Sequence, residues 1–149
     1  MTNMAEIKYV LGINAYHGDS SACLIKDGKL VAALEEERIR RIKHWAGFPS
    51  ESIKFCLNFA GIGIKDIDYI TIGRKPKAHT LERIIFVLKN RPDFSFLIDR
   101  IKNRQRVKNI KQEFIEVFDL KPEELKAQFF EVEHHDAHLA SAFFVSPFD

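Results

Sequence analysis

Residues 9–34 read YVLGINAYHGDSSACLIKDGKLVAAL, three short apolar runs separated by two polar turns. Tyr9–Asn14 (YVLGIN) has the length and composition of a buried strand. Residues 17–21 (HGDSS) form a polar turn with one glycine. Residues 22–26 (ACLIK) and 29–34 (KLVAAL) are two more strand-like runs, and only Asp27-Gly28 lies between them. A two-residue type I′ turn needs positive φ at both central positions, which Asp-Gly tolerates, so this dipeptide predicts a hairpin. The first 34 residues are therefore expected to be three consecutive antiparallel strands.

Working outward, residues 35–48 (EEERIRRIKHWAGF) are charged and lead into Pro49. Composition allows a short helix or an ordered loop there. Ser50–Ala60 reads as a helix, with Ile53, Leu57 and Ala60 on one face and Gly61 at the position after its end. Residues 69–73 (YITIG) predict a strand, and residues 80–90 a helix with Leu81, Ile84, Ile85 and Leu88 on one face. Helical spacing continues through Ile101, Val107, Ile110, Phe114 and Phe118, so a helical excursion is expected over about 76–126. Residues 128–132 (QFFEV) read as a strand, and His134–Phe144 (HHDAHLASAFF) as a buried helix. The order βββαβ(α)βα predicts an α/β fold with a mixed sheet. A length of 149 residues suits one domain or one lobe of a larger one.

The net charge of +2 names no partner, but its distribution is uneven. Residues 74–111 hold twelve basic and three acidic side chains, and the rest of the chain is net acidic. Such a tract fits either a nucleic-acid surface or a basic amphipathic hairpin against an acidic body. The helical apolar spacing favours the second. Cys23 and Cys56 lie 33 positions apart and form no metal or redox motif, as expected of buried thiols in a reducing cytoplasm. No secretory signal and no membrane span are expected.

Three segments carry candidate chemistry. His134 and His138 are four apart, which on a helix puts both on one face, within reach of one ion. Two imidazoles are an incomplete shell, and the alternative is a capping cluster with Asp136 at the helix start. The turn Asn14-Ala15-Tyr16-His17-Gly18-Asp19-Ser20-Ser21 follows a buried strand and can aim backbone N–H groups at a phosphate, though it is not a P-loop. Its alternative is a solvated hairpin turn. His17 is the residue there able to exchange a proton near neutral pH. The segment from Glu35 to His44 reads as an exposed charge run, yet it follows a strand end, where α/β sites are built.

Together and in order, these segments resemble one family. Residues 9–62 (YVLGINAYHGDSSACLIKDGKLVAALEEERIRRIKHWAGFPSESIKFCLNFAGI) look like the start of the O-carbamoyltransferases, the nodulation-factor and antibiotic-tailoring type, and HHDAHLASAFF looks like their histidine motif. The resemblance covers about residues 9–72 and 129–148, and the stretch between carries no motif of the family. It implies the first lobe of an actin-like, ribonuclease-H-like domain of the ATPase and sugar-kinase type. It implies an enzyme that uses carbamoyl phosphate and ATP to make carbamoyl adenylate, then moves the carbamoyl group to an acceptor hydroxyl. By position, His17 would be the base, and Lys43 would contact the carbamoyl or phosphate group. Gly18, Asp19, Ser20 and Ser21 would line the phosphate side, and His134 and His138 would bind a divalent metal, iron by the resemblance.

Two departures qualify it. Related domains often carry an acidic residue where this chain has Asn14, which argues against sugar-kinase-like ATP hydrolysis. Family members run to several hundred residues, so residues 1–149 are expected to be a single truncated lobe. It would need a C-terminal lobe and an adenylate-forming domain, and would be inactive alone. A catalytically incomplete nucleotide- or partner-binding module of the same fold is the alternative, and the reading frame after Asp149 separates the two. The basic tract generates a test of its own. Affinity for RNA or DNA should be weak at physiological ionic strength, whereas tight binding that falls steeply with added salt would make residues 74–111 a nucleic-acid surface.

Overall fold

The computed structural model describes residues 7–73 and 110–144. The expected helix over 80–90, and the excursion as far as residue 109, lie outside them.

The three-strand start forms as expected. Strands β1 (Tyr9–Asn14), β2 (Ser21–Lys26) and β3 (Lys29–Glu35) are antiparallel neighbours. Lys26 pairs with Lys29 across the two-residue turn, where Asp27 has φ 49° and Gly28 has φ 77°. Both values are positive, as a type I′ turn requires. After β3 come α1 (Glu36–Arg40), α2 (Ser50–Ala60) and a single 3-10 turn (Ile64–Asp66). Then follow β4 (Tyr69–Ile72), α3 (Ile110–Val117), β5 (Gln128–Glu131) and α4 (His134–Phe144). Gly61 ends α2 in the left-handed conformation, φ 67°.

The five strands form one sheet in the order β3-β2-β1-β4-β5. Strands β4 and β5 run parallel to β1, while β2 runs against it. This is a mixed α/β sheet, as the order of the elements predicts.

One face of the sheet carries the core. Leu11, Ile13, Ala22, Leu24, Ile70 and Ile72 are buried on it. Helix α2 contributes buried Ile53, Cys56 and Leu57, and α3 contributes Phe114. The Phe114 ring meets Phe48 edge-on at 5.0 Å and Phe129 of β5 at 5.8 Å. Both cysteines are free, and burial pushes the Cys56 thiol up to about 11, so it stays protonated and inert.

Helix α4 departs from the buried helix expected of its small and apolar residues. Leu139 is 70% exposed and Phe143 is 73% exposed. Among the described residues, nothing buries either side chain. Phe130 of β5 is exposed as well.

Glu36 fixes how α1 and α2 meet. It reads in sequence as part of a charge run, yet it is fully buried. Its carboxylate accepts the Ser52 amide at 2.8 Å and the Glu51 amide at 3.2 Å. These are orphan donors at the start of α2, whose own N-cap, Pro49, offers no side-chain bond. The Arg40 guanidinium donates to Glu36 at 2.6 Å and to Ser50 Oγ at 2.8 Å, and stacks over the Trp45 ring at 4.5 Å. Burial alone would raise the Glu36 carboxyl. The Ser52 amide, Arg40 and the Glu51 amide outweigh it and hold the pKa below the ordinary value.

Glu36→Ala should therefore destabilise the fold by about 3 kcal/mol, because it strands a partly buried guanidinium and two amides. Glu35→Ala, on the half-exposed neighbour whose carboxylate meets the exposed Arg38, should stay within about 0.5 kcal/mol. Urea denaturation measures both. A depressed carboxylate pKa stabilises above the unfolded value of about 4.3. The difference between native and Glu36→Ala chains should therefore be full near neutrality and shrink as pH falls through the depressed native pKa.

Candidate functional site

Strands β1, β4 and β5 are parallel neighbours, so their carboxyl ends lie along one edge. Ile13 pairs with Ile72 and Ile72 with Glu131. The Gly73 amide then bonds the Ile13 carbonyl, and the Val132 amide bonds the Ile72 carbonyl. With about 4.8 Å between strands, β1 and β5 are roughly 10 Å apart. The turn holding His17 follows β1, and the helix holding His134 and His138 follows β5. More than 100 residues of sequence thus return to the edge where open α/β sheets build their sites.

Residues 15–20 make a tightly tied turn. Tyr16 and Asp19 adopt positive φ, 58° and 63°. The Asn14 side-chain amide donates to the Gly18 and Asp19 carbonyls at 3.4 and 3.1 Å. An ionised aspartate could not donate these bonds, which gives a physical role to the residue that departs from the related domains. Ser20 is fully buried. Its hydroxyl lies 2.8 Å from the Gly47 carbonyl and 3.2 Å from that of His17. Its amide donates to Trp45, and the Tyr16 amide donates to Gly47.

Ser20 is expected on the phosphate side, and in the fold its hydroxyl and N–H meet these carbonyls. Both are committed to joining the turn to the 44–47 loop. Ser21 is the first residue of β2, paired with Asn14 and with Glu35. Gly18 has an open side, since a Cβ built on it would meet no atom within 4 Å.

His17 is exposed on this turn. Its Nδ1 lies 3.3 Å from the Gly18 carbonyl, which can only accept. In the neutral ring that contact places the proton on Nδ1 and leaves Nε2 as the basic nitrogen.

The second loop carries Lys43, also exposed, between two residues in left-handed backbone, Arg41 at φ 60° and His44 at φ 54°. His44 Nδ1 bonds Asp19 Oδ1 at 2.8 Å, and the His44 amide donates to Glu37 at 3.2 Å. The Asp19 hydrogen bond, its charge, and then Glu37 raise the His44 pKa above its ordinary value. Asp19, Glu37 and His44 also bring one ligand-type atom each within 4.8 Å of the others. Sequence reading placed both His44 and Glu37 in a candidate segment at a strand end but gave neither a role, because the segment also looks like a solvated charge run.

On α4, His138 is exposed and lies one turn beyond His134 along the helix. Glu133, rather than Asp136, caps this helix. It accepts the His135 and Asp136 amides at 2.7 and 3.2 Å and the His135 ring at 3.1 Å. Slight burial raises the Glu133 carboxyl, and these partners outweigh it, so its pKa falls below the ordinary value. Among the described residues, no helix is long and apolar enough to cross a membrane.

A protein of Synechocystis sp. is 41% identical over 148 residues, 95% of this chain and 24% of that protein. The nodulation protein NolNO of Sinorhizobium fredii is 47% identical over 57 residues, 38% of this chain and 8% of that protein. The chain thus spans a quarter or less of these two relatives. Among solved structures, YeaZ from Pseudomonas aeruginosa overlaps with a TM-score of 0.42 at 14% identity, over 85% of this chain and 43% of that one. A family model described as Carbamoyltransferase N-terminus matches residues 9–149, which takes in the tied turn, the Lys43 loop and the histidine helix alike. The chain belongs to the carbamoyltransferase N-terminus family.

Proposed function

We propose that this chain is the N-terminal portion of an O-carbamoyltransferase that moves a carbamoyl group, activated as carbamoyl adenylate from carbamoyl phosphate and ATP, to an acceptor hydroxyl. The observation that carries this is the family match together with the common edge from which the His17 turn and the histidine helix emerge.

His17 is the base of this reaction. Nε2 takes the proton of the acceptor hydroxyl as its oxygen bonds to the carbamoyl carbon. The bond from that carbon to the adenylate oxygen breaks, and AMP leaves with the electron pair. Lys43, an exposed cation on a loop tied to the His17 turn, meets the carbamoyl or phosphate oxygens. Gly18 allows a close approach on its open side, and Asp19 holds the turn's outer end.

His134 and His138 would hold a divalent metal, iron by the family resemblance. Two positions one turn apart on one helix, the second of them exposed, suit two imidazole donors, and the rest of the shell comes from other groups. When bound, the metal supplies positive charge for nucleotide phosphate oxygens.

Titrating carbamoyl phosphate, and separately inorganic phosphate, into the labelled chain should shift the His17, Gly18 and Lys43 NMR signals. Lys43→Ala should weaken that binding by about tenfold, the loss of one charged contact of roughly 1.4 kcal/mol. Iron(II) added under anaerobic conditions should broaden the His138 ring signals, and His134→Ala should prevent it. With ATP, carbamoyl phosphate, iron and hydroxyl acceptors, residues 1–149 should form no more product than His17→Ala. Phosphate binding that leaves His17 and Lys43 unperturbed would overturn this assignment of the site.

A further inference from the structure

We propose that Asp19 and His44, with Glu37 behind them, form a positioning clasp that holds the His17 turn and the Lys43 loop in one fixed relation. This deepens the carbamoyl-transfer reading, since only that reading gives the two loops a shared substrate.

The clasp stands on geometry. Asp19 lies two residues beyond His17, and His44 directly follows Lys43. The 2.8 Å bond between their side chains closes the gap between the two loops at the outer, exposed side. The inner side is already closed by backbone and hydroxyl bonds from Tyr16 and Ser20 to Trp45 and Gly47. Asn14 shapes the turn itself, whereas the Asp19–His44 bond fixes the turn's outer end against the loop that carries Lys43. Glu37 anchors the other partner, because its carboxylate accepts the His44 amide at 3.2 Å and sits on α1. Both clasp residues adopt positive φ, so each side chain is delivered by a backbone conformation that L-residues seldom take up.

The clasp also responds to pH. The charged groups facing the His44 ring are Asp19 from the turn and Glu37 from α1, both acidic. Arg41 and Lys43 are its neighbours along the loop. These acids favour the charged ring, so the ion pair is complete below the ordinary histidine value of about 6.5. It is lost as pH rises through the raised native pKa.

NMR on the 149-residue chain tests this without turnover, so its failure is separate from failure of the carbamoyl-transfer reading. The His44 ring should titrate above the free-histidine midpoint, and Asp19→Asn should move that midpoint down. The His17 ring signals should move as His44 titrates, and should not follow it in Asp19→Asn. Hydrogen exchange at the His44 amide, which Glu37 accepts, should be protected at low pH and lose protection as the His44 ring deprotonates. In His44→Lys, which keeps the cation without titrating in this range, protection should persist and that movement of the His17 signals vanish. The Cys56 amide, in the core helix, should stay protected in every variant and so report that the fold is intact. A His44 midpoint unmoved by Asp19→Asn, or a His17 ring blind to His44, overturns the clasp.

Discussion

A single buried carboxylate organises the part of this lobe that carries the candidate site. Glu36 ends the three-strand start and turns inward, where it caps α2 and captures Arg40. Arg40 in turn holds Ser50 and stacks on Trp45. The loop between α1 and α2 therefore leaves from one fixed point and returns to another. Burying an ion pair is costly, and the geometry here offsets the cost with several charge-assisted bonds on one acceptor. What the arrangement secures is the path of residues 41–48, which carry Lys43 and His44 and supply the carbonyls that tie down the His17 turn.

That turn is held from three sides. Asn14 binds two of its carbonyls from below, Ser20 fastens its inner end to Trp45 and Gly47, and Asp19 fastens its outer end to His44. The segment is polar and partly exposed, so apolar packing cannot define its shape, and hydrogen bonds do so instead. Substrate-positioning groups need such definition, because small displacements of a base or a cation weaken transfer strongly.

The opposite end of the site is built with less support. Helix α4 starts from a Glu133 cap at the sheet edge, and its Leu139 and Phe143 stand open. An exposed leucine and phenylalanine on one short helix form an apolar patch of the kind that marks interaction surfaces.

Much of this was legible in the sequence. Asp27-Gly28 between apolar runs specified the hairpin, because few residues other than glycine, asparagine and aspartate accept positive φ. The periodicity of 50–60 with Gly61 specified α2 to the residue, and the motif order pointed to the family. These are local signals, carried by backbone preference and by repeat period. The functions of Glu36, Ser20, His44 and Glu133 were not legible. Each reads locally as a solvated polar residue, and each acquires its role from a partner elsewhere: Ser52, Gly47, Asp19, and the amides that open α4. Burial and pairing of polar groups are properties of the assembled chain, since a carboxylate is stable inside only when folding brings its donors to it. Sequence thus determined the strands, the core helix and the family; tertiary structure decided which charged residues turn inward and which loops are bound to each other.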